Sequence, residues 1–334
     1  MRTRRPVLPL VALSLVALLV TVAALSGCGA PTNAHSAGCG GAANGGNGVR
    51  VAGQSVVANT GGARITSCRL AGAVRGLLAG VSTQSVACPR GANVIGGGYT
   101  LSAAVPVEAD FPDWRANAWT VTVYVPGITA PGAVTLQVYA VCFFLPRLSQ
   151  SPLSPTGVAY YAQSAPIPQA LSPWHPALGT AISVCDEDAT WAGGGYQLIG
   201  PTDGPPEAAI VNSEPLSDPL PASRWEADAQ NFDTEDAVTL VAYVVCIDTD
   251  VYTVQRVNVG FSPTAPTLDL ACLSGAPMLA ASAGTHNLAP IARWPALGLG
   301  LVADHAIASS QWEETYAGAW NTAFSMWMLC VRPT

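Results

Sequence analysis

The sequence predicts an all-β protein built from three disulfide-closed β-sheet repeats, packed as one compact, pseudo-three-fold body. Internal repetition is the first observation behind this. Cys88 opens CPRGANVIGGGYTL, Cys185 opens CDEDATWAGGGYQL and Cys272 opens CLSGAPMLAASAGT. Eight positions after each cysteine comes a cluster of small residues: Gly96-Gly97-Gly98, Gly193-Gly194-Gly195, then the worn Ala280-Ala281-Ser282. A tryptophan follows each cluster (Trp119, Trp225, Trp312), and each copy closes on a run ending in cysteine: TLQVYAVC, TLVAYVVC and AFSMWMLC. An aromatic stands three residues before that last cysteine every time, as Tyr139, Tyr243 and Trp327. The second observation is period-two alternation in the closing runs. Leu136, Val138, Ala140 and Cys142 share one face and Tyr139 and Val141 the other, and both faces are apolar enough for central strands covered on each side. The third is composition: 50% apolar and only 10% charged residues, with 33 glycines and 27 prolines, suit a turn-rich β protein.

The segments follow in order. Residues 1–27 form a signal: Arg2, Arg4 and Arg5, then an apolar run from Val11 to Leu25, too short for a lasting transmembrane helix. Residues 28–54, with AGCGGAANGGNG, are expected to be a flexible tether, and 55–84 a stapled N-terminal segment. Repeat 1 spans 85–144, where TVTVYV before Pro126-Gly127 predicts a strand and turn, repeat 2 spans 179–248 and repeat 3 spans 269–334. The joins at 145–178 (Pro146, Pro152, Pro155, Pro166, Pro168, Pro173, Pro176) and 249–268 are expected to be proline-bearing linkers. Only LAGAVRGLLAG (70–80) has passable helical spacing.

Leu25-Ser26-Gly27-Cys28 resembles the lipobox of bacterial lipoproteins. In that family the cysteine is acylated and becomes the new N-terminus, so the resemblance implies a membrane anchor through lipid at Cys28 and an extracytoplasmic location, at the cell surface or in the periplasm. The cysteine-bounded copies also resemble modules of exported bacterial proteins. In architecture alone they are similar to the three-fold β-prism of vitelline membrane outer layer proteins, which implies a β-prism-like body and no ligand.

With Cys28 set aside, eight of nine cysteines remain for an oxidising compartment. The simplest pairing joins first and last cysteine of each copy, Cys88 with Cys142, Cys185 with Cys246 and Cys272 with Cys330, leaving Cys39 for Cys68. Loops of this size are worth about 3 to 4.5 kcal/mol each in chain entropy.

The chemistry the sequence offers is sparse. A phosphate loop needs backbone amides opening a helix; here the glycines precede strand-like TyrThrLeu and TyrGlnLeu, the chain has no lysine, and Asp186, Glu187 and Asp188 would repel an anion. Ser282 in Ala-Ala-Ser-Ala-Gly, with His286, Asp304 and His305 downstream, mimics a serine-hydrolase elbow, but it occupies the scaffold position of Gly98 and Gly195. His35, His175, His286 and His305 lack zinc spacing, and the acidic sets 186–188 and 233–236 lack a calcium-loop glycine, so no metal and no cofactor is expected. An acidic chain without a basic cluster argues against nucleic acid. Trp114, Trp174, Trp191, Trp294 and Trp320 fall outside the repeat landmarks and are the candidate ligand-contact aromatics. The segments between small cluster and tryptophan, such as the proline-rich 200–224, are the expected contact loops. The expected function is non-enzymatic: an anchored β scaffold binding a glycan or a surface protein, with an exported hydrolase or a purely structural envelope protein as alternatives.

Overall fold

The computed structural model describes residues 50–58, 64–127, 133–144, 157–187, 189–201, 206–216, 223–248, 252–261, 267–271, 300–308, 311–317 and 324–333. Among them every regular element is a strand. Ahead of repeat 1 lie Arg50–Ala58 (β1), Arg64–Ala71 (β2) and Arg75–Gly76 (β3). Repeat 1 contains Gly80–Ala87 (β4), Asn93–Leu101 (β5), Val107–Asp113 (β6), Ala118–Val125 (β7) and Thr135–Phe144 (β8). Val158–Ile167 (β9) leads into repeat 2, which contains Ala177–Val184 (β10), Ala189–Ile199 (β11), Ala208–Leu216 (β12), Arg224–Asn231 (β13) and Val238–Asp248 (β14). Tyr252–Phe261 (β15) leads into repeat 3, with Thr267–Ala271 (β16), Gly300–Ala308 (β17), Gln311–Ala317 (β18) and Phe324–Pro333 (β19).

Pairing sorts these strands into one recurring plan. The closing strand lies between a leading strand and the glycine-rich strand, as β2-β8-β5 and β9-β14-β11, with β15 on β19 in the third copy. A second layer is a meander around the tryptophan strand: β4-β7-β6, β10-β13-β12 and β16-β18-β17. Within a repeat the layers meet where side chains are absent. A Cβ on Gly97 would lie 2.1 Å from Trp119 Cγ, and one on Gly194 would lie 2.1 Å from Trp225 Cδ2. Each indole therefore lies flat on bare backbone of the facing strand, which is why the sequence spends glycines inside a strand.

The layers do not stop at repeat boundaries. Strand β6 of repeat 1 pairs with β11 of repeat 2 (Asp110 opposite Tyr196, Ala109 opposite Gln197), making one six-stranded sheet β4-β7-β6-β11-β14-β9. Strand β17 of repeat 3 pairs with β5 of repeat 1 in the same register, Asp304 opposite Tyr99 and Ala303 opposite Thr100. Two joins of identical geometry establish the pseudo-three-fold relation. Residues 36–334 cluster as one compact unit. One apolar cluster fills repeat 1, around Trp119, Val121, Leu136 and Val138, and a second fills repeat 2, around Tyr196, Ala227 and Leu240; Val107 packs on both.

Cys88 is bonded to Cys142 and Cys185 to Cys246, so both described bridges follow the first-to-last pairing and tie one layer to the other. Cys68 is disulfide-bonded too. Cys39 and Cys272 lie outside the described residues, as does the side chain of Cys330.

Two expectations are corrected, and the one stretch of passable helical spacing proves not to be a helix. The linkers at 145–178 and 249–268 contain the leading strands β9 and β15. Of the seven prolines only Pro166 is within β9, near its end and on a strand paired on one side only, where a missing N–H is tolerated. The 70–80 stretch is not helical. Glycines at 72, 76 and 80 weaken a helix there, and its amides instead pair with the strand β8 region, Gly72 N–H to Val138 O and Leu77 N–H to Val134 O, each at 2.8 Å. The proline-rich 200–224 is not one loop, because β12 crosses its middle.

Candidate functional site

The feature built for contact is on the outer face of the six-stranded sheet, where repeats 1 and 2 join. Gly195 stands opposite Tyr243, and a Cβ on it would lie 2.1 Å from Asp110 O and 2.9 Å from Phe111 Cα. With no side chain between them, the rings of Phe111 and Tyr243 stack across the strand at 4.6 Å between centroids. Trp114 covers this pair, 5.9 Å from Tyr243, and runs near-parallel to Tyr160 at 6.4 Å. Trp114 keeps 38% of its surface exposed.

Local sequence fixes the turn that carries Trp114. Asp113 Oδ1 accepts the amides of Arg115 and Ala116, an Asx turn, and Asn117 takes a positive φ of 48°. Asn117 then ties the turn to the glycine-rich strand: Oδ1 accepts Val94 N–H at 3.0 Å, Nδ2 donates to Ala92 O at 2.8 Å, and its carbonyl accepts Cys88 N–H at 2.8 Å. Tyr160 Oη donates to Val94 O at 2.7 Å and Tyr243 Oη to Gln197 Oε1 at 2.7 Å. Burial holds the Tyr160 phenol well above its ordinary range and pushes Tyr243 up to about 12, with Asp113 adding to the Tyr243 rise and Arg115 opposing it. The result is an aromatic surface on a rigid mount, with a carboxylate and a guanidinium near enough to act on Tyr243.

The other predicted aromatics separate. Trp191 is no contact residue: it is 0% exposed and sits edge-on to Trp225 at 6.0 Å. It occupies the place of Val94 just before the strand bulge, six positions after the opening cysteine in both copies, and alignment on the repeat alone could have assigned it to the core. Trp174 is 68% exposed on the turn 172–175. Trp294 and Trp320 lie outside the described residues, as do Cys28, Asp188, Ser282 and His286.

Asp304 takes the register position of Asp110, and Asp110 accepts a hydrogen bond from the Trp119 indole inside the body. The hydrolase-like grouping thus includes a position that the scaffold already uses. Asp233 Oδ1 accepts the amides of Glu235 and Asp236, and Asp186 accepts the Tyr161 phenol, so these acids serve turns and packing. Among the described residues no group of three or more His, Cys, Asp or Glu side chains is arranged to hold a metal ion.

Two features had no sequence signal when taken one residue at a time. Glu214, Glu226 and Asp228 share the outer face of β12 and β13, with Glu214 directly opposite Glu226 and Asn212 opposite Asp228. Asn212 Nδ2 donates to Glu214 Oε1 at 2.9 Å and to Asp228 Oδ2 at 3.2 Å. Glu108 is the second. The bulges of β6, β12 and β17 skip residues 108, 211 and 302, so Glu108 stands where the other repeats have Val211 and Val302. It is 7% exposed, its Oε1 has no hydrogen-bond partner, and burial pushes its pKa from 4.5 to about 7.

Because the folded state favours the neutral carboxyl, stability is greatest below pH 4.5, falls as pH rises toward 7, and levels off above that. A rise from 4.5 to about 7 corresponds to a loss of about 1 to 3 kcal/mol. Glu108→Val is expected to reduce this slope without abolishing it, because Glu226 is raised in the same direction; the readout is the urea midpoint at mildly acidic and mildly alkaline pH, and an unchanged slope would mean that Glu108 does not contribute.

Compared with known proteins, the chain matches no family model and no curated protein sequence.

Proposed function

We propose that the chain is a non-enzymatic extracytoplasmic lipoprotein, anchored through Cys28, whose β scaffold presents the Trp114 surface to a glycan. The carrying observation is Trp114 itself: a partly exposed indole, stacked on Tyr160 and pinned by Asp113 and Asn117, which pays no ordering cost on binding. Sugar rings offer apolar C–H faces to an aromatic plane and hydroxyls to flanking polar groups, and Asp113, Arg115 and Gln197 flank this one. The anchored location is supported by the Arg-rich signal and Leu25-Ser26-Gly27-Cys28, and the bridges Cys88–Cys142 and Cys185–Cys246 suit an oxidising compartment.

A glycan array probed with the mature protein and with Trp114→Ala is the test. Trp114→Ala is expected to weaken the best array signal at least about tenfold while the protein still unfolds in one cooperative transition, at a cost of about 1 to 3 kcal/mol for the two ring contacts given up. Equal array signals, or none from either protein, sink the glycan reading. Intact mass of the membrane-extracted protein is expected to show acyl chains on a chain beginning at Cys28.

A further inference from the structure

Charge is not shared evenly among the repeats. Residues 158–248 hold 13 of the 21 Asp and Glu against a single arginine, Arg224, whereas the rest of the chain beyond residue 27 holds ten arginines and eight acids. Part of this charge is focused on one surface, the outer face of β10-β13-β12. There Glu226 and Asp228 run along β13, and Glu214 and Asn212 stand opposite them on β12. Thr180 Oγ1 donates to Asp228 Oδ1 at 2.5 Å from the other side. The matching face of repeat 1 carries hydroxyls there, Thr83 with Thr122 and Ser85 with Thr120, whereas repeat 3 keeps one carboxylate in the place of Glu226, Glu313, with Asp269 and His305 opposite it. Glu214 opposite Glu226 is a like-charge cross-strand pair, an arrangement that destabilises a sheet. Glu226 is consequently driven up to about 7, by burial first and then by Asp228 and Glu214.

Beside the carboxylates lies an apolar row. Along β10, Leu178 is 68% and Val184 43% exposed, with half-buried Ile182 between them. The turn leading into β10 adds Leu171, 94% exposed, and Trp174, 68% exposed. Their exposure is not looseness. Ser172 and His175 close the turn through a backbone bond at 2.9 Å and a side-chain bond at 2.9 Å. Ala170 N–H donates to Asp233 O at 2.7 Å, and Asn231 Nδ2 donates to both Pro168 O and Asp236 O, which binds the turn to the loop bearing Asp233, Glu235 and Asp236. Large apolar side chains held rigidly in water mark a contact surface.

We infer that this face of repeat 2 is a docking surface for a partner protein, and that the partner presents a segment in which arginine or lysine side chains lie in a row next to apolar ones. Charge complementarity selects that occupant. The basic row meets Glu214, Glu226 and Asp228, and the apolar row meets Leu178, Ile182 and the Leu171–Trp174 turn about one strand spacing, roughly 5 Å, away. An anionic lipid surface would bring its headgroups against the same carboxylates and be repelled. This surface is separate from the Trp114 site and does not depend on the glycan reading.

The test uses the mature protein with a synthetic Lys/Leu amphipathic peptide as probe, a Glu/Leu counterpart, and vesicles of phosphatidylcholine or phosphatidylglycerol. The Lys/Leu peptide is expected to bind, to weaken steeply between about 0.05 and 0.5 M salt, and to lose at least about tenfold in affinity with Glu214→Gln/Glu226→Gln. The surface pair Leu171→Ser/Trp174→Ser is expected to lose as much, and Trp114→Ala nothing. The inference is overturned if the Lys/Leu peptide does not bind, if it binds both double variants as it binds the parent, or if vesicles or the Glu/Leu peptide bind as well as it does. Retained thermal unfolding in each variant excludes misfolding as the cause.

Discussion

Gly194→Ala is expected to lower the stability of the folded body by about 3 kcal/mol or more, at the upper end of what one added methyl does. The new Cβ would meet three atoms of the Trp225 ring, Cδ2 at 2.1 Å, Cγ at 2.4 Å and Cε3 at 2.5 Å. Such an overlap is cheap only if the ring can move. Trp225 cannot: it is 2% exposed, its Nε1 donates to Ser213 Oγ at 3.0 Å, and Trp191 stands edge-on against it. The methyl must therefore push one layer off the other or break that hydrogen bond. Gly97 faces Trp119 in the same way, so Gly97→Ala is expected to behave alike. Gly127→Ala, with nothing within 4 Å of its Cβ, is the internal control and should stay within about 0.5 kcal/mol. Chemical denaturation of the three variants decides the matter, and a Gly194→Ala midpoint equal to that of Gly127→Ala would mean that the glycines are not there for the indole.

That pairing of glycine with tryptophan also shows what a sequence can disclose. Gly193-Gly194-Gly195 recurs as Gly96-Gly97-Gly98, and a residue that recurs in scaffold register is fixed by the scaffold. The repeat therefore disclosed the closing strand of each copy, the cysteine pairings seen at Cys88–Cys142 and Cys185–Cys246, and the scaffold role of the glycines that the structure places under the indoles. It disclosed less where a contact crosses from one copy to another. Nothing local in Ala109-Asp110 indicates Tyr196-Gln197 as partner, because pairing between strands that far apart is selected by the closed body and not by propensity. Leading strands β9 and β15 were obscured for a different reason. Prolines around Val158–Ile167 mask an edge strand that admits one near its end, and Tyr252–Phe261 alternates clearly but lies between two landmarks that suggest a linker. The candidate sites were half legible. Trp114 and Trp174 stood out as aromatics without a repeat position, but the stacking of Phe111 on Tyr243, and the meeting of Glu214 with Glu226, depend on register between strands.

Removing the Cys185–Cys246 bridge, as Cys185→Ala/Cys246→Ala, is expected to cost about 4 kcal/mol, from the freedom regained by a loop of 61 residues in the unfolded chain. Both sulfurs are buried, Cys246 at 0% and Cys185 at 3% exposed, so the vacated volume adds to the loss. How the loss appears is the sharper test. If the repeats were separate beads, repeat 2 would melt alone and early while repeat 1, with Cys88–Cys142 intact, would keep its own transition. The β6–β11 join forbids that, since the sheet covering the core of repeat 1 continues into β11, β14 and β9, and Val107 packs on both apolar clusters. Unfolding repeat 2 would strip the outer side of β6 and uncover the repeat 1 core. Calorimetry of the double variant is accordingly expected to show one transition covering both repeats, displaced as a whole to lower temperature. Two resolved peaks, with the later one at the parent position, would show that the shared sheet does not couple the repeats. The Trp114 surface belongs to the same logic: its indole comes from repeat 1 and its platform, Tyr160 and Tyr243, from repeat 2, so it exists only while the join does. Ligand binding there should fall with the same midpoint as the heat signal.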